Sequence, residues 1–349
     1  MWLSVARCEG AIAEKWRENG HLAVNTPVCA GVCVAGKGRI ITIGLSPAWD
    51  VSCRGVGLDW GRHVEMDEQV VRPAGKALNV SYALAWMGRE SIAAGLWGRE
   101  DHCQMKNAVR RLGGWIRTSM TTGPGSTRRN ITVIDTRNHR EMHLRLRSEL
   151  ASQRTLQRLN ADLKKLVRKG DTCVFAGAMP GGDLLEHVID LVRTCHRADA
   201  RVVVDTHGPA LASILGAGLA SVISPNVEEL HELLGRGVAN TPARLAAAAR
   251  PLLERADTIL VSRGAEGAVV VTENGAWIGR SRVRRKVLST VGCGDYLLAG
   301  FLAGLHDTAD PQAALAMGLK VAAARAWGWS ETKTWDEASQ QIPVKILPI

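Results

Sequence analysis

The sequence predicts an α/β fold of three layers, a mainly parallel sheet covered by helices on both faces, with a small second sheet beside it. Three observations point there. Short apolar runs rich in β-branched residues recur at 39–45 (RIITIGL), Thr172–Ala176, Arg201–Asp205, 221–224, Thr258–Ser262 and Ala268–Thr272. Helical patterns lie between several of them, at 77–87, 184–195, Val227–Leu234 and 241–255. Strands alternating with helices pair in parallel and are buried on both faces. Third, residues 53–72 and 130–147 break the alternation, being polar–apolar and strand-like with few helix signals. Within the latter, 130–135 and 139–146 read as a hairpin turning at Thr136-Arg137-Asn138, and the two stretches are expected to form the small sheet.

The chain has 349 residues and is 46% hydrophobic, enough for one large α/β domain with a sizeable core. Its formal net charge of +10 suits an anionic partner. No long Lys/Arg run with interleaved aromatics appears, which argues against nucleic acid. No window of about eighteen apolar residues supports a membrane span. The eight cysteines form no C-x-x-C pair, so neither a zinc site nor a redox framework is read. Several lie in apolar runs as buried thiols, which fits a reducing cytoplasm. Residues 1–37 read as an N-terminal extension, a poor signal peptide, ahead of a domain over 38–330 and a C-terminal tail over 331–349.

Chemistry concentrates first in residues 289–305, STVGCGDYLLAGFLAGL. Gly292-Cys293-Gly294 is a tight turn, and Leu297, Leu298, Phe301, Leu302 and Leu305 follow at helical spacing. A helix N-terminus offers unpaired N–H groups and positive potential to an anion, and glycines let a phosphate approach the backbone. Asp295 at the helix start is placed to take a proton from a hydroxyl group. Taken alone, the segment reads equally as an Asp-capped helix. Cys293 is a thiol at a helix N-terminus, where a lowered pKa and ready alkylation are expected. A second segment, Ala74-Gly75-Lys76-Ala77-Leu78-Asn79, opens a helix with a glycine, a cation for phosphate and an amide for hydroxyl groups.

Together these segments resemble the PfkB (ribokinase-like) carbohydrate kinases, in particular the branch of 1-phosphofructokinase and tagatose-6-phosphate kinase. The likeness runs from about residue 39 to about 328. Gly292-Cys293-Gly294-Asp295 stands where the family has G-A-G-D, and 74–79 stands where it has G-G-K-G-x-N. Ser46-Pro47-Ala48-Trp49-Asp50 is similar to N-P-A-x-D, and Thr127-Arg128-Arg129-Asn130 to T-R-x-N. Ser224-Pro225-Asn226-Val227-Glu228-Glu229 resembles K-P-N-x-x-E, and Ser262-Arg263-Gly264-Ala265-Glu266-Gly267 resembles S-x-G-x-x-G. Ala176-Gly177-Ala178-Met179-Pro180 resembles S-G-S-x-P, and Asp205-Thr206-His207-Gly208 resembles D-T-S-G, with His207 read as a loop residue.

The resemblance implies a ribokinase-like fold and transfer of the ATP γ-phosphoryl, with Mg²⁺, to a sugar hydroxyl. It implies Asp295 as base and the N–H groups of Gly292, Cys293 and Gly294 as anion hole. Asp50, Gly75 and Asn79 would hold the sugar, and Lys76 and Arg128 its existing phosphate. Ser262, Gly264, Gly267 and Asn226 would bind nucleotide, with Glu229 organising Mg²⁺ through water. The segments near 53–72 and 130–147 would form a lid that excludes water and supports a homodimer. Two alternatives stay open, the second motivated by departures at Ala74, Ala77, Ala176, Ala178, Ser224 and Tyr296. One is a plain sugar or nucleoside kinase, the other a catalytically weak regulatory protein that binds sugar phosphates.

Overall fold

The structure, a computed structural model, describes residues 38–111, 114–283 and 285–349. The extension expected over 1–37 lies outside the described residues. In chain order the elements are β1 (Ile40–Gly44), β2 (Ala48–Gly55), β3 (Glu68–Ala74), α1 (Lys76–Trp86), β4 (Ser91–Gly98), α2 (His102–Arg111), β5 (Ile116–Gly123), β6 (Arg129–Asp135), β7 (Arg140–Arg145), α3 (Gln153–Leu166), β8 (Thr172–Ala176), α4 (Leu185–Arg197) and β9 (Arg201–Asp205). They continue with α5 (Gly208–Gly216), β10 (Val222–Ile223), α6 (Val227–Leu234), α7 (Pro242–Ala249), β11 (Thr258–Ser262), β12 (Ala268–Thr272), β13 (Gly275–Ser281), α8 (Cys293–Thr308), α9 (Pro311–Ala326), α10 (Trp329–Thr332), α11 (Trp335–Gln341) and β14 (Val344–Pro348).

The large sheet has ten strands in the order β14-β13-β12-β11-β10-β9-β8-β1-β4-β5. From β5 to β11 every neighbouring pair is parallel, while β12, β13 and β14 close one edge antiparallel. Strand side chains alternate between faces, so β1 serves two cores. Ile41 and Ile43 meet Leu156, Leu159 and Leu163 of α3 and Val188 and Val192 of α4. Ile40 faces the other way, into a core with Val80 and Leu84 of α1, Phe301 and Leu302 of α8 and Leu315 of α9. That sandwich is the three-layer arrangement that the alternation predicts, and the ribokinase-like fold that the resemblance implies.

Helices α8 and α9 lie unusually close. A Cβ on Gly300 would come within 2.8 Å of the Gly318 Cα, and one on Gly304 within 2.5 Å of the Ala314 Cα. Small residues at both contacts let the two backbones approach closely, which packs the middle and C-terminal half of α8 against α9.

The small sheet has the order β3-β2-β6-β7 and contains the expected hairpin. It begins at Ala48, five residues before the expected 53, so Asp50 sits on a strand of this sheet. The Asp135 carboxylate ties the hairpin turn to the loop after β2, accepting hydrogen bonds from Asn138 Nδ2 at 2.7 Å and from the Gly57 and Leu58 N–H groups at 2.9 and 3.1 Å. These bonds hold its pKa at about 2, despite the desolvation that works against them.

Two expectations change. The helix read over 241–255 ends at Ala249 and continues as a 3₁₀ turn over Arg250–Glu254, because Pro251 lacks an N–H to donate. Residues 331–349, read as a tail, form α11 and β14, and β14 pairs antiparallel with β13. Tryptophans anchor this stretch: Trp335 packs edge-on against Trp86 of α1, with ring centroids 5.4 Å apart, and Trp327 packs against Trp329 at 5.1 Å.

Candidate active site

Gly292 is the N-cap of α8 and takes a left-handed conformation, φ 78°. Side chains rarely adopt that region, so glycine here permits the chain to turn sharply into the helix. Asp295 occupies the first turn of α8 and is 4% exposed. Its Oδ2 accepts a hydrogen bond from Asn79 Nδ2 at 2.7 Å. Asn79 is set by α1, whose N-cap is Gly75 at φ 128°. The two strongest sequence segments, more than two hundred positions apart, are thus joined by a direct hydrogen bond.

Around Asp295 the charges are crowded. Lys76 Nζ lies 3.3 Å from Asp205 Oδ1, and Glu229 and Asp295 also face this ammonium. Burial disfavours the charged lysine, but the three carboxylates outweigh it and hold its pKa above the ordinary value. Burial pushes Asp205 up. Asp295 is raised to about 7, first by burial and then by the nearby Asp205, with Asn79, Lys76 and Arg325 opposing. A carboxyl group poised near neutrality and held at a helix N-terminus can exchange a proton with a bound hydroxyl.

The expectation for Cys293 is overturned. Its thiol is pushed up by burial, with Arg325 opposing and Asp295 adding to the rise. Desolvation here outweighs the helix N-terminus that argued for a lowered value. The Cys293 N–H, expected to face a phosphate freely, donates to the Thr290 carbonyl at 3.3 Å.

A second group forms on the small sheet. Asp50 Oδ1 accepts from Asn130 Nδ2 at 2.9 Å, and Asn130 Oδ1 is buried without a partner. Arg128 donates to the carbonyls of Pro47, Ser46 and Leu146 at 3.3, 3.2 and 2.9 Å. Burial and then Arg145 lower its pKa, against the pull of Asp50. Both neighbours hang from Asp101, which is 8% exposed. It accepts hydrogen bonds from Trp49 Nε1 at 2.6 Å, from the Thr127 N–H at 3.0 Å and from Thr127 Oγ1 at 3.1 Å.

A third group joins Asn226, Glu229 and Ser262. Asn226 and Glu229 form a reciprocal capping box on α6, and the Ser262 N–H donates to the Pro225 carbonyl at 3.0 Å. Glu229 Oε2 serves the box, while Oε1 lies 3.9 Å from His207 Nδ1. Gly264 and Gly267 shape the turn from β11 to β12, and a Cβ on Gly267 would fall 2.0 Å from the Gly279 carbonyl oxygen. Among the described residues no cluster of three or more His, Cys, Asp or Glu is placed to hold a metal by itself. Among those residues no helix is long and apolar enough to cross a membrane.

Sequence reasoning missed Asp205, Asp101 and Arg325 as members of these groups. Asp205 ends β9, and the carboxyl ends of parallel strands are where open α/β sheets bind ligands, so a signal existed. Arg325 and Asp101 gave none.

The family model of the pfkB family carbohydrate kinases matches residues 40–326, most of the chain. The chain belongs to this family. It is a carbohydrate kinase, a phosphotransferase with an alcohol group as acceptor. Among curated relatives, 1-phosphofructokinase of Vibrio cholerae serotype O1 is 25% identical over 316 residues, covering 88% of this chain and 97% of that protein. Tagatose-6-phosphate kinase of Staphylococcus epidermidis is 28% identical over 313 residues, covering 87% and 99%. Among solved structures, phosphofructokinase-2 from Escherichia coli in complex with fructose-6-phosphate superposes with a TM-score of 0.78 at 21% identity, covering 87% of this chain and 98% of that one.

In this kinase, Asp101→Ala is expected to leave the Trp49 and Thr127 donors without an acceptor. The cost is roughly 1–3 kcal/mol of stability, measurable by urea unfolding. Trp49 and Thr127 precede Asp50 and Arg128, the residues the resemblance assigns to the sugar, so the KM for the sugar should rise more than that for ATP. Equal rises in both constants would reject this role.

Proposed function

We propose that the enzyme transfers the γ-phosphoryl of ATP to a hydroxyl of a sugar that already carries a phosphate, of the fructose 1-phosphate or tagatose 6-phosphate kind. The observation that carries this reading is Asp295, a buried carboxyl raised to about 7 at the N-terminus of α8. The sugar hydroxyl attacks the γ-phosphorus, the bond to the β–γ bridging oxygen breaks, and the hydroxyl proton passes to Asp295. The N–H groups of the 292–294 turn stabilise charge developing on the transferred group. Cys293 contributes once its bond to Thr290 loosens.

Asp50, Gly75 and Asn79 hold the sugar, and the unpartnered Asn130 Oδ1 beside Asp50 suits one of its hydroxyl groups. Arg128 is half-buried close to a second guanidinium, Arg145; an anion there relieves both, which favours a substrate with its own phosphate. Lys76 turns toward Asp205, Glu229 and Asp295, so we place it on the transferring phosphoryl group rather than on the sugar phosphate. In this reading Ser262, Gly264, Gly267 and Asn226 bind the nucleotide. Oxygen donors suit Mg²⁺, and Glu229 would hold it through water, with Asn226 beside it. When bound, the ion neutralises charge on the phosphates. The small sheet acts as a lid, and its exposed Val71, Met142 and Leu144 are the face that a second copy would cover in a homodimer.

Purified protein supplied with ATP and each of fructose 1-phosphate, tagatose 6-phosphate, fructose 6-phosphate and ribose tests the reading. Turnover of a phosphosugar is expected. Turnover of ribose alone makes it a plain sugar kinase. Ligands that raise the melting temperature without any ATP consumption make it a regulatory binder.

A further inference from the structure

We propose that Arg325 is a positioning residue for phosphoryl transfer, locking the peptide unit between Val291 and Gly292 so that the turn keeps its N–H groups on the transferred group. This rests on the kinase reading above. Arg325 lies near the end of α9, some thirty positions from the turn it serves, and its side chain is 15% exposed. Its Nε donates to the Val291 carbonyl at 3.2 Å. Its guanidinium carbon lies 5.4 Å from the centre of the Tyr296 ring. Its Nη1 pairs with Glu331 at 2.7 Å. A Cβ built on Gly292 would lie 3.8 Å from Arg325 Nε, 3.8 Å from Asp295 Oδ2 and 3.7 Å from Asn79 Nδ2. The guanidinium, the base and the amide that holds it therefore converge on one glycine.

The peptide bond is planar and trans, so the Val291 carbonyl and the Gly292 N–H point to opposite sides. Holding the carbonyl fixes the direction of the N–H. Gly292 makes such a lock necessary, because a residue without a Cβ resists rotation of the adjoining peptide least. The other pins on this loop act elsewhere. The Leu288 and Ser289 N–H groups donate to the Ala326 carbonyl at 2.8 and 3.4 Å, and the Val291 N–H donates to Ser289 Oγ at 3.1 Å. None of them grips the Val291 carbonyl. Arginine suits the task by shape, since one planar group can donate from its edge, stack its face on a ring and pair at its far end. Tyr296 supplies the ring at a position where this chain departs from the family's pattern.

Arg325 also faces Asp295, together with Asn79 and Lys76 from α1 and Asp205 from the end of β9. Lys76 and Arg325 are the cations in that set. Removing Arg325 should therefore move the acid limb of kcat/KM to higher pH, which a purely structural role would not do.

The test compares wild type with R325Q, R325K, R325A and E331Q. R325Q is expected to lower kcat by about 10- to 100-fold with both KM values within about threefold, the scale of losing an oxyanion donor's geometry. R325K keeps the charge without the fork and should fall between, which keeps the test valid if R325Q folds poorly. Guanidinium ions at low concentration should restore part of the R325A rate, while sodium chloride at equal ionic strength should not. E331Q should retain most of kcat, since Glu331 is half-exposed and its pair is screened. An R325Q enzyme with wild-type kcat and an unmoved acid limb, or one impaired only in KM, overturns this proposal alone. An inactive wild type overturns the kinase reading and this proposal with it.

Discussion

Asp295→Asn is expected to lower kcat by about 10²–10⁴-fold, the usual worth of a positioned general base, while ATP affinity stays near that of wild type. The amide has the shape of the carboxylate and keeps an oxygen for Asn79 Nδ2, so the turn and α8 should remain in place. What it lacks is a site for the hydroxyl proton. The pH profile gives a second reading. Burial, reinforced by Asp205, puts Asp295 at about 7, and the group must be ionised to act as a base. In wild type kcat/KM should be full above that pH and fall tenfold per unit below it. Stability runs the other way. The folded pKa is raised above the unfolded value, so stability falls as pH rises through the interval between them. Above pH 7 the buried carboxylate is a net liability that the amide removes, and the variant should melt at or above the wild-type temperature there. A variant with near-normal kcat, or one that melts far lower at pH 8, would remove Asp295 from this role.

The elements most legible in the sequence are those whose environment leaves a local mark. β1, β8, β9, β11 and β12 are buried on both faces, and such strands read as unbroken β-branched runs. β4 is just as buried, yet Ala93, Ala94, Gly95 and Gly98 carry no strand signal; its place between β1 and β5 comes from tertiary packing. β14 was illegible because an edge strand follows no burial rule, and its partner β13 lies some seventy positions away. The site divides in the same way. The 292–295 turn and the Gly75–Asn79 segment are written locally, as glycines before helices. Asp205 and Arg325 arrive by packing, and nothing near either of them in sequence names the other. Cys293 shows a local rule losing: the helix N-terminus argues for a reactive thiol, and burial, a tertiary property, reverses the sign.

Lys76→Met should damage both stability and activity, and the two can be separated. Removing one partner of a fully buried ion pair costs roughly 3–5 kcal/mol. The Lys76 side chain is 39% exposed, and Asp205 can take up a proton in its absence, so a loss of about 1–3 kcal/mol is expected. Lys76→Met with Asp205→Asn should recover most of that loss in urea unfolding at pH 8, because the orphaned carboxylate is gone. It should not recover kcat, which is expected to stay at least ~10²-fold down for want of a cation on the transferring phosphoryl group. The single variant should also show its acid limb at higher pH, since Asp295 loses one of its two opposing cations while Asp205 remains. A double variant no more stable than the single one would mean that Asp205 is not what Lys76 neutralises. Recovery of activity in the double variant would make Lys76 a structural counter-ion with no hold on phosphate. The expected split has a physical reason. Three carboxylates around one ammonium are less stable than apolar packing of the same volume. Under the proposed mechanism, a fold that keeps such a cluster beside the end of β9 keeps it for the proton and the phosphoryl group that pass there.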